Sequence, residues 1–152
     1  MNQTETKIEI KIIDPRDIRA LRLKVLWPHK ETVENCSLPS DTEPGAFHVG
    51  AVQNGRVVGT SSFLVDVNPK FEEKNQYRLR AMATDPDIQG TGTGAAILAR
   101  GIKELKERGV KLLWCDARLK ATGFYEKLNF KVMGEIYDVP VIGPHKLMYI
   151  EL

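Results

Sequence analysis

The run Gln89-Gly90-Thr91-Gly92-Thr93-Gly94 constrains this chain more than any other feature. It follows a strand-like segment, residues 77–84, and opens a long amphipathic helix. Glycines on alternate positions let a backbone turn tightly and approach a bulky ligand, because no Cβ intervenes. At a helix start the first N–H groups lack intrahelical partners, and the helix dipole adds partial positive charge. Together these predict an anion site, of the kind that takes a phosphate or pyrophosphate.

The segments around the run set the fold class. Ile8-Glu9-Ile10-Lys11-Ile12 alternates with period two and predicts a first strand. Asp14-Pro15 supplies an N-cap and a proline at the first helical position, so residues 15–27 read as a helix that Pro28 stops. Residues 28–44 read as a loop with room for one short helix. Residues 46–53 and 56–67 are strand-like and flank Asn54-Gly55, a strong hairpin signal. A helix over 93–108 ends at Gly109. Residues 110–115 form a nearly continuous apolar run, as in a buried central strand. A short helix over 121–128 and strands around 132–137 and 146–151 close the chain. The order predicts one α/β domain over residues 1–152. Its sheet is mixed, with a right-handed strand-helix-strand unit and a cleft at the carboxyl ends of the parallel pair.

Composition excludes several classes. With 22 basic and 20 acidic residues, a net charge of +2 gives no case for nucleic acid or an anionic membrane. No stretch reaches the roughly 18 apolar residues of a membrane span, and residues 1–11 lack an apolar run of signal-peptide length. The expectation is a soluble, cytoplasmic protein. Cys36 and Cys115 lie far apart, and no histidine or cysteine spacing suggests a metal.

Three readings of the glycine run compete. A P-loop fails, because no Gly-Lys-Ser or Gly-Lys-Thr follows. A dinucleotide fingerprint fits Gly90 to Ala95, and Asp116 could serve as its ribose-binding acid. Against it, residues 85–89 separate strand from glycines, and the strand carries Arg78 and Arg80 where an apolar parallel strand is wanted. The third reading is a resemblance. Gln89-x-x-Gly92-x-Gly94, after Met82-Ala83-Thr84-Asp85-Pro86, is similar to the acyl-CoA pyrophosphate loop of the GNAT superfamily of N-acetyltransferases. Ala121-x-x-Phe124-Tyr125-Glu126-Lys127-Leu128-Asn129-Phe130 is similar to a second block of that family. Leu21-Arg22-x-x-Val25-Leu26-Trp27-Pro28 matches its first helix more weakly. Asn129 replaces the usual glycine, and Arg118 stands where many members carry Asn.

The resemblance implies a mostly antiparallel sheet of about six to seven strands with about four helices. The fourth and fifth strands would splay around an acetyl-CoA cosubstrate. It places the pantetheine arm beside Met82, Ala83 and Thr84, and the pyrophosphate on Gln89 to Gly94, with Thr91 and Thr93 adding hydroxyls. Ala121 leaves space for the arm one turn from Tyr125, whose phenol is the expected general acid for the departing thiolate. The alternative for Tyr125 is a core residue. His48, in a hairpin strand, is a candidate base by its pKa range, although an ordinary half-buried histidine fits as well. Asp66, Glu72, Glu73 and a water relay are further options. His145 starts the last strand near the end of the cleft, where a turn-stabilising role fits at least as well, and His29 reads as a loop residue. Arg22, Trp27, Tyr77 and Tyr137 are expected to face a small-molecule amine acceptor. Homodimers are common in the family. A non-catalytic acyl-CoA sensor of the same fold is the competing expectation.

Overall fold

The computed structural model describes residues 7–152. Residues 1–6, part of the N-terminal segment read above, lie outside them. The elements are β1 (Glu9–Ile13), α1 (Arg19–Val25), β2 (Phe47–Gln53), β3 (Arg56–Val65), β4 (Gln76–Thr84), α2 (Thr93–Glu107), β5 (Leu112–Arg118), α3 (Thr122–Lys127), β6 (Lys131–Val139) and β7 (Gly143–Glu151). The strands form one seven-stranded sheet in the order β1-β2-β3-β4-β5-β7-β6. Every neighbouring pair is antiparallel except β4 and β5. A single parallel pair is not the doubly wound sheet that a dinucleotide fingerprint requires.

Local chemistry explains most boundaries. Asn54 and Gly55 both take positive φ, 53° and 75°, as the tight β2–β3 hairpin requires. Gly109 has φ 76° and closes α2 with paired bonds, Gly109 N to Lys106 O and Val110 N to Leu105 O. Val110 therefore belongs to the helix terminus, and the apolar run read as a strand from 110 enters the sheet only at Leu112. Asn129, at φ 72°, ends α3 in the same way. It adopts the left-handed conformation expected of a glycine substitute.

The helices differ from expectation in number. Three α-helices and six 3₁₀ turns are found among the described residues, against about four helices expected. The predicted helix over 15–27 splits. Asp14 accepts from Arg16 N and fixes a 3₁₀ turn, Pro15–Asp17, before α1 begins. The loop over 28–44 carries three such turns, where one short helix was expected.

The two faces of the sheet do different work. One packs on α2 through Phe47, Val49, Phe63, Leu79, Leu113 and Met148, all buried. The other faces α1 and, towards β7, holds a smaller cluster of Phe71, Leu112, Trp114 and Leu147. Gly101, in the middle of α2, lies tight against the sheet. A Cβ there would sit 2.0 Å from Phe63 Cζ, and Phe63 is stacked on Phe47 with centroids 4.9 Å apart. Gly101→Ala should therefore destabilise the protein by about 1–3 kcal/mol through overpacking. The gain of up to ~1 kcal/mol in helix propensity is too small to offset this. Urea unfolding would check it, and a stabilised variant would contradict the packing.

Candidate functional site

The β4–β5 contact is short. The strands pair only at Gln76↔Leu112, Tyr77↔Leu113 and Arg78↔Trp114, although β4 runs on to Thr84 and β5 to Arg118. A bulge starts the divergence. The β3–β4 register shifts between Thr60 and Ser62, and Ala81 in β4 takes φ 55°. An inserted residue bends its strand and increases local twist. On its other edge β5 stays paired with β7 as far as Arg118↔His145. The result is a V with residues 79–84 on one arm and 115–118 on the other.

The glycine run lies where the β4 arm ends. Asp85 accepts from Asp87 N and from Lys24 Nζ, the latter at 2.8 Å, and so ties the turn to α1. Gly90 and Gly92 have φ 82° and 84°, and a Cβ on either would meet nothing within 4 Å. Glycine is needed there for backbone conformation and leaves the surface open. Gly92 is the N-cap of α2, whose first intrahelical bond is Ala96 N to Gly92 O. The amides of Thr93, Gly94 and Ala95 precede that bond and point out of the helix end, an anion-binding arrangement. Thr91 Oγ1 bonds Ile88 O at 2.6 Å and Thr93 Oγ1 at 2.8 Å, which holds the loop closed on itself. Gln89 Nε2 reaches back to Thr84 O at 3.4 Å.

The α2 face of the V is lined by Met82, Phe124 and Tyr125. Tyr125 is 7% exposed, with its hydroxyl 3.8 Å from Met82 Sδ on the opposite arm. Phe124 packs edge-on against it and lies over Gly94, where a Cβ would be 3.3 Å from Phe124 Cζ. Ala121 is half-buried beside the same core. Burial pushes the Tyr125 phenol well above its ordinary pKa, with Cys115 adding to the effect. Burial raises the Cys115 thiol as well. A groove of about 490 Å³ along α2 and Leu128 contains no residue of either arm.

On the α1 face, the start of the V is polar. Arg78 lies between Asp66, at 3.4 Å, and Asp116, at 2.8 Å, with its guanidinium 4.9 Å above the Trp114 ring. Tyr137 donates a hydrogen bond to the other Asp116 oxygen. Burial first, and then that bond and the carboxylate charge, raise the Tyr137 pKa. His145 stands beside Tyr137, with ring centroids 6.2 Å apart, and its Nδ1 is 2.8 Å from Gly143 O. This cluster was not anticipated from the sequence. Its signal was visible as Arg78 and Arg80 on alternate positions of a strand and as Asp116 ending an apolar run.

The remaining expected residues do not join the V. Arg22 is fully buried, with its terminal nitrogens donating to both oxygens of Asp41, to Cys36 O and to Ser62 Oγ. It clamps the 28–44 loop onto β3, so the expectation that it faces an acceptor is corrected. Tyr77 points to the α2 face, where its hydroxyl donates to Gly45 O at 2.8 Å, and it is likewise corrected. Trp27 is half-buried beside this clamp, with Lys30 Nζ 5.1 Å from its ring. His48 is 2% exposed and two strands away from β4, about 10 Å. Its Nδ1 is 2.7 Å from Ser62 Oγ and its Nε2 3.0 Å from Asp41 O. The carbonyl can only accept, so Nε2 carries the proton and Nδ1 takes the Ser62 hydroxyl. Burial lowers its pKa. His48 as a base for chemistry in the V is therefore corrected to a neutral structural residue.

Comparison with known proteins places this arrangement. Residues 13–130 match the Acetyltransferase (GNAT) family. The uncharacterized N-acetyltransferase YitI of Bacillus subtilis is 35% identical over 142 residues, covering 93% of this chain and 95% of that protein. Among solved structures, Escherichia coli ElaA superposes with a TM-score of 0.76 at 16% identity, covering 94% of this chain and 99% of that one. An aminoglycoside 6'-N-acetyltransferase complexed with coenzyme A gives a TM-score of 0.75 at 16% identity, covering 94% and 96%. At such identities the two structures establish the fold.

The buried clamp generates a stability prediction. Burial raises the Asp41 carboxyl, but bonds from Arg22 and Leu38 N and the charges of Arg22 and His48 outweigh it, so its pKa is lowered. Asp41→Asn leaves Arg22 buried without a counter-charge and should cost about 3–5 kcal/mol. Both Asp41 and His48 have depressed folded pKa values, so each contributes stability above its unfolded value that is lost with acid. For His48 the loss begins as pH falls below ~6.5, and for Asp41 only below ~3.9. Denaturant unfolding between pH 7 and 5 should show declining stability that flattens in His48→Gln. An unchanged slope in that variant would contradict the assignment.

Proposed function

The chain belongs to the GNAT family of acetyltransferases, and on that premise we propose that it acetylates the primary amine of a small molecule. In this reading acetyl-CoA is the donor, the amine attacks directly, and Tyr125 is the general acid, in a cytoplasmic enzyme. The observation that carries it is the V between β4 and β5, with a helix N-terminus at one end and a protonated phenol within it.

The residues suit that cosubstrate. Amides from Gly90 to Ala95 would receive the pyrophosphate, and Gly90 and Gly92 leave its approach clear. The free edge of β4 at Met82, Ala83 and Thr84 would bond the pantetheine amides. Its bulge turns backbone donors towards a thioester carbonyl, the kind of preorganised stabilisation that acyl transfer needs. Ala121 and Gly94 keep the walls low.

The acceptor nitrogen would form its bond to the carbonyl carbon as the carbon–sulfur bond breaks. Tyr125 then gives its proton to sulfur, and the nitrogen loses its own to water. A phenol whose pKa is raised holds its proton at neutral pH and can act only as an acid. The same burial would raise the proton affinity of a departing thiolate, as it raises the Cys115 thiol nearby, which favours its protonation. Tyr137 and His145 would wall the acceptor side.

Thermal stabilisation by acetyl-CoA and CoA, and none by NAD, is the expected binding result. Thiol release across an amine panel then separates a working enzyme from a non-catalytic acyl-CoA sensor, which would bind and show no turnover. Tyr125→Phe should lower kcat by about 10²-fold with coenzyme affinity nearly intact, and full activity in that variant would remove the acid assignment. Gly92→Val, at φ 84°, should weaken coenzyme binding and leave no such selective effect on kcat.

A further inference from the structure

Several arginines lie on or over the α1 face of the sheet near the V, and two of them, Arg22 and Arg78, have acids of their own. Arg22 is paired with Asp41 at 2.7 Å, and Arg78 with Asp116 at 2.8 Å. Arg80 lies between these pairs. It is in register with Ser62, the hydroxyl that Arg22 bonds, and two residues along the same face from Arg78. Among the described residues its side chain has no hydrogen bond and no ion pair, and the residue is exposed. Desolvation, then repulsion from Arg78 and Arg22, lowers its pKa, while the attraction of Asp41 and Asp116 does not make up the difference. This is a cation short of counter-charge.

Its position says which anion suits it. Arg80 immediately precedes the bulged Ala81, at the point where β4 leaves β5. The glycine run opens α2 on the other face of the sheet, so the donor's phosphates would be held away from Arg80. What approaches on the α1 face is the acceptor. A guanidinium fork matches a carboxylate in two parallel hydrogen bonds, and among the described residues no carboxylate takes that place.

We infer that the acceptor is a compact amino carboxylate of the α-amino acid type, with Arg80 gripping its carboxylate while its amine points into the V. This rests on the acetyl-transfer reading above. Polyamines would meet the repulsion of Arg80, and a protein N-terminus lacks the adjacent carboxylate.

The test uses acceptors matched in sets: α-amino acids, their primary carboxamides and the corresponding decarboxylated amines, over small, apolar, acidic and basic side chains. Thiol release is read with wild type and Arg80→Gln, alongside calorimetric binding of each compound to the CoA-loaded protein and thermal stabilisation by CoA alone. A hydrogen bond to a charged group is worth about 1.5–3 kcal/mol. The wild type should therefore favour the acid over its amide by about 10- to 100-fold in kcat/KM, chiefly through KM. Arg80→Gln should collapse that ratio towards one, Arg80→Lys should restore part of it, and CoA stabilisation should stay at the wild-type level in both. Equal use of acid and amide by the wild type, a proportional loss on both in Arg80→Gln, or no carboxylate-dependent binding in any set would overturn the inference. Arg80-dependent carboxylate binding without CoA binding or thiol release would instead overturn the acetyl-transfer reading and leave the anion site standing.

Discussion

The bulge at Ala81 is the constraint on which the rest of this structure depends. A non-glycine residue at φ 55° costs on the order of 1–2 kcal/mol. That strain is spread over the β3–β4 ladder, which is paired on both sides of it. It turns β4 away from β5 after three register pairs, so the sheet opens on an internal edge instead of an outer one. An internal opening is flanked by packed helices and strands. Its backbone donors are therefore oriented in advance, and its side chains are partly shielded from water. The glycine run, α2 and α3 are then placed around that opening by ordinary packing, with Gly101 against Phe63 setting the depth of α2.

The two faces of the opening have opposite character, and this follows from strand alternation. Leu79, Cys115 and Ala117 point to the α2 core, whereas Arg78, Arg80 and Asp116 point to the α1 side. The apolar face holds Tyr125 in a medium that keeps its proton on. The polar face offers a row of charges anchored by Trp114 and Tyr137. On the proposed reading, this separation would let a large anionic thioester and a small polar amine enter from opposite sides. The buried group of Arg22, Asp41, Ser62 and His48 fixes the 28–44 loop over the polar face. Every member except Arg22 Nε has its partners, so the group holds one loop conformation.

Much of this was legible in the sequence where a signal was local. The Asn54-Gly55 hairpin, the Gly109 terminus, Asn129 as a glycine substitute and the glycine run at the head of α2 all depend on a few adjacent residues and their φ preferences. What was not legible depended on contacts across the fold. Arg22 sits on a helix and Asp41 nineteen residues later in a loop, and nothing in their spacing announces a pair buried to near zero exposure. His48 reads as a base by its intrinsic pKa, and only its burial against Ser62 and Asp41 O removes it. Tyr77 has the composition of a binding residue but points to the core, since one step along a strand changes the face. Arg80 gave the opposite lesson: its charge was plain in the sequence, and the absence of a partner among the described residues emerged only from the fold.

The most direct test of the account is an experimental structure of this protein with coenzyme A bound. The account predicts the pantetheine arm along Met82, Ala83 and Thr84 inside the V, the pyrophosphate on the amides from Gly90 to Ala95, and the sulfur within hydrogen-bond reach of the Tyr125 hydroxyl. Coenzyme A seated elsewhere, such as the groove along α2 and Leu128 with β4 and β5 untouched, would contradict it.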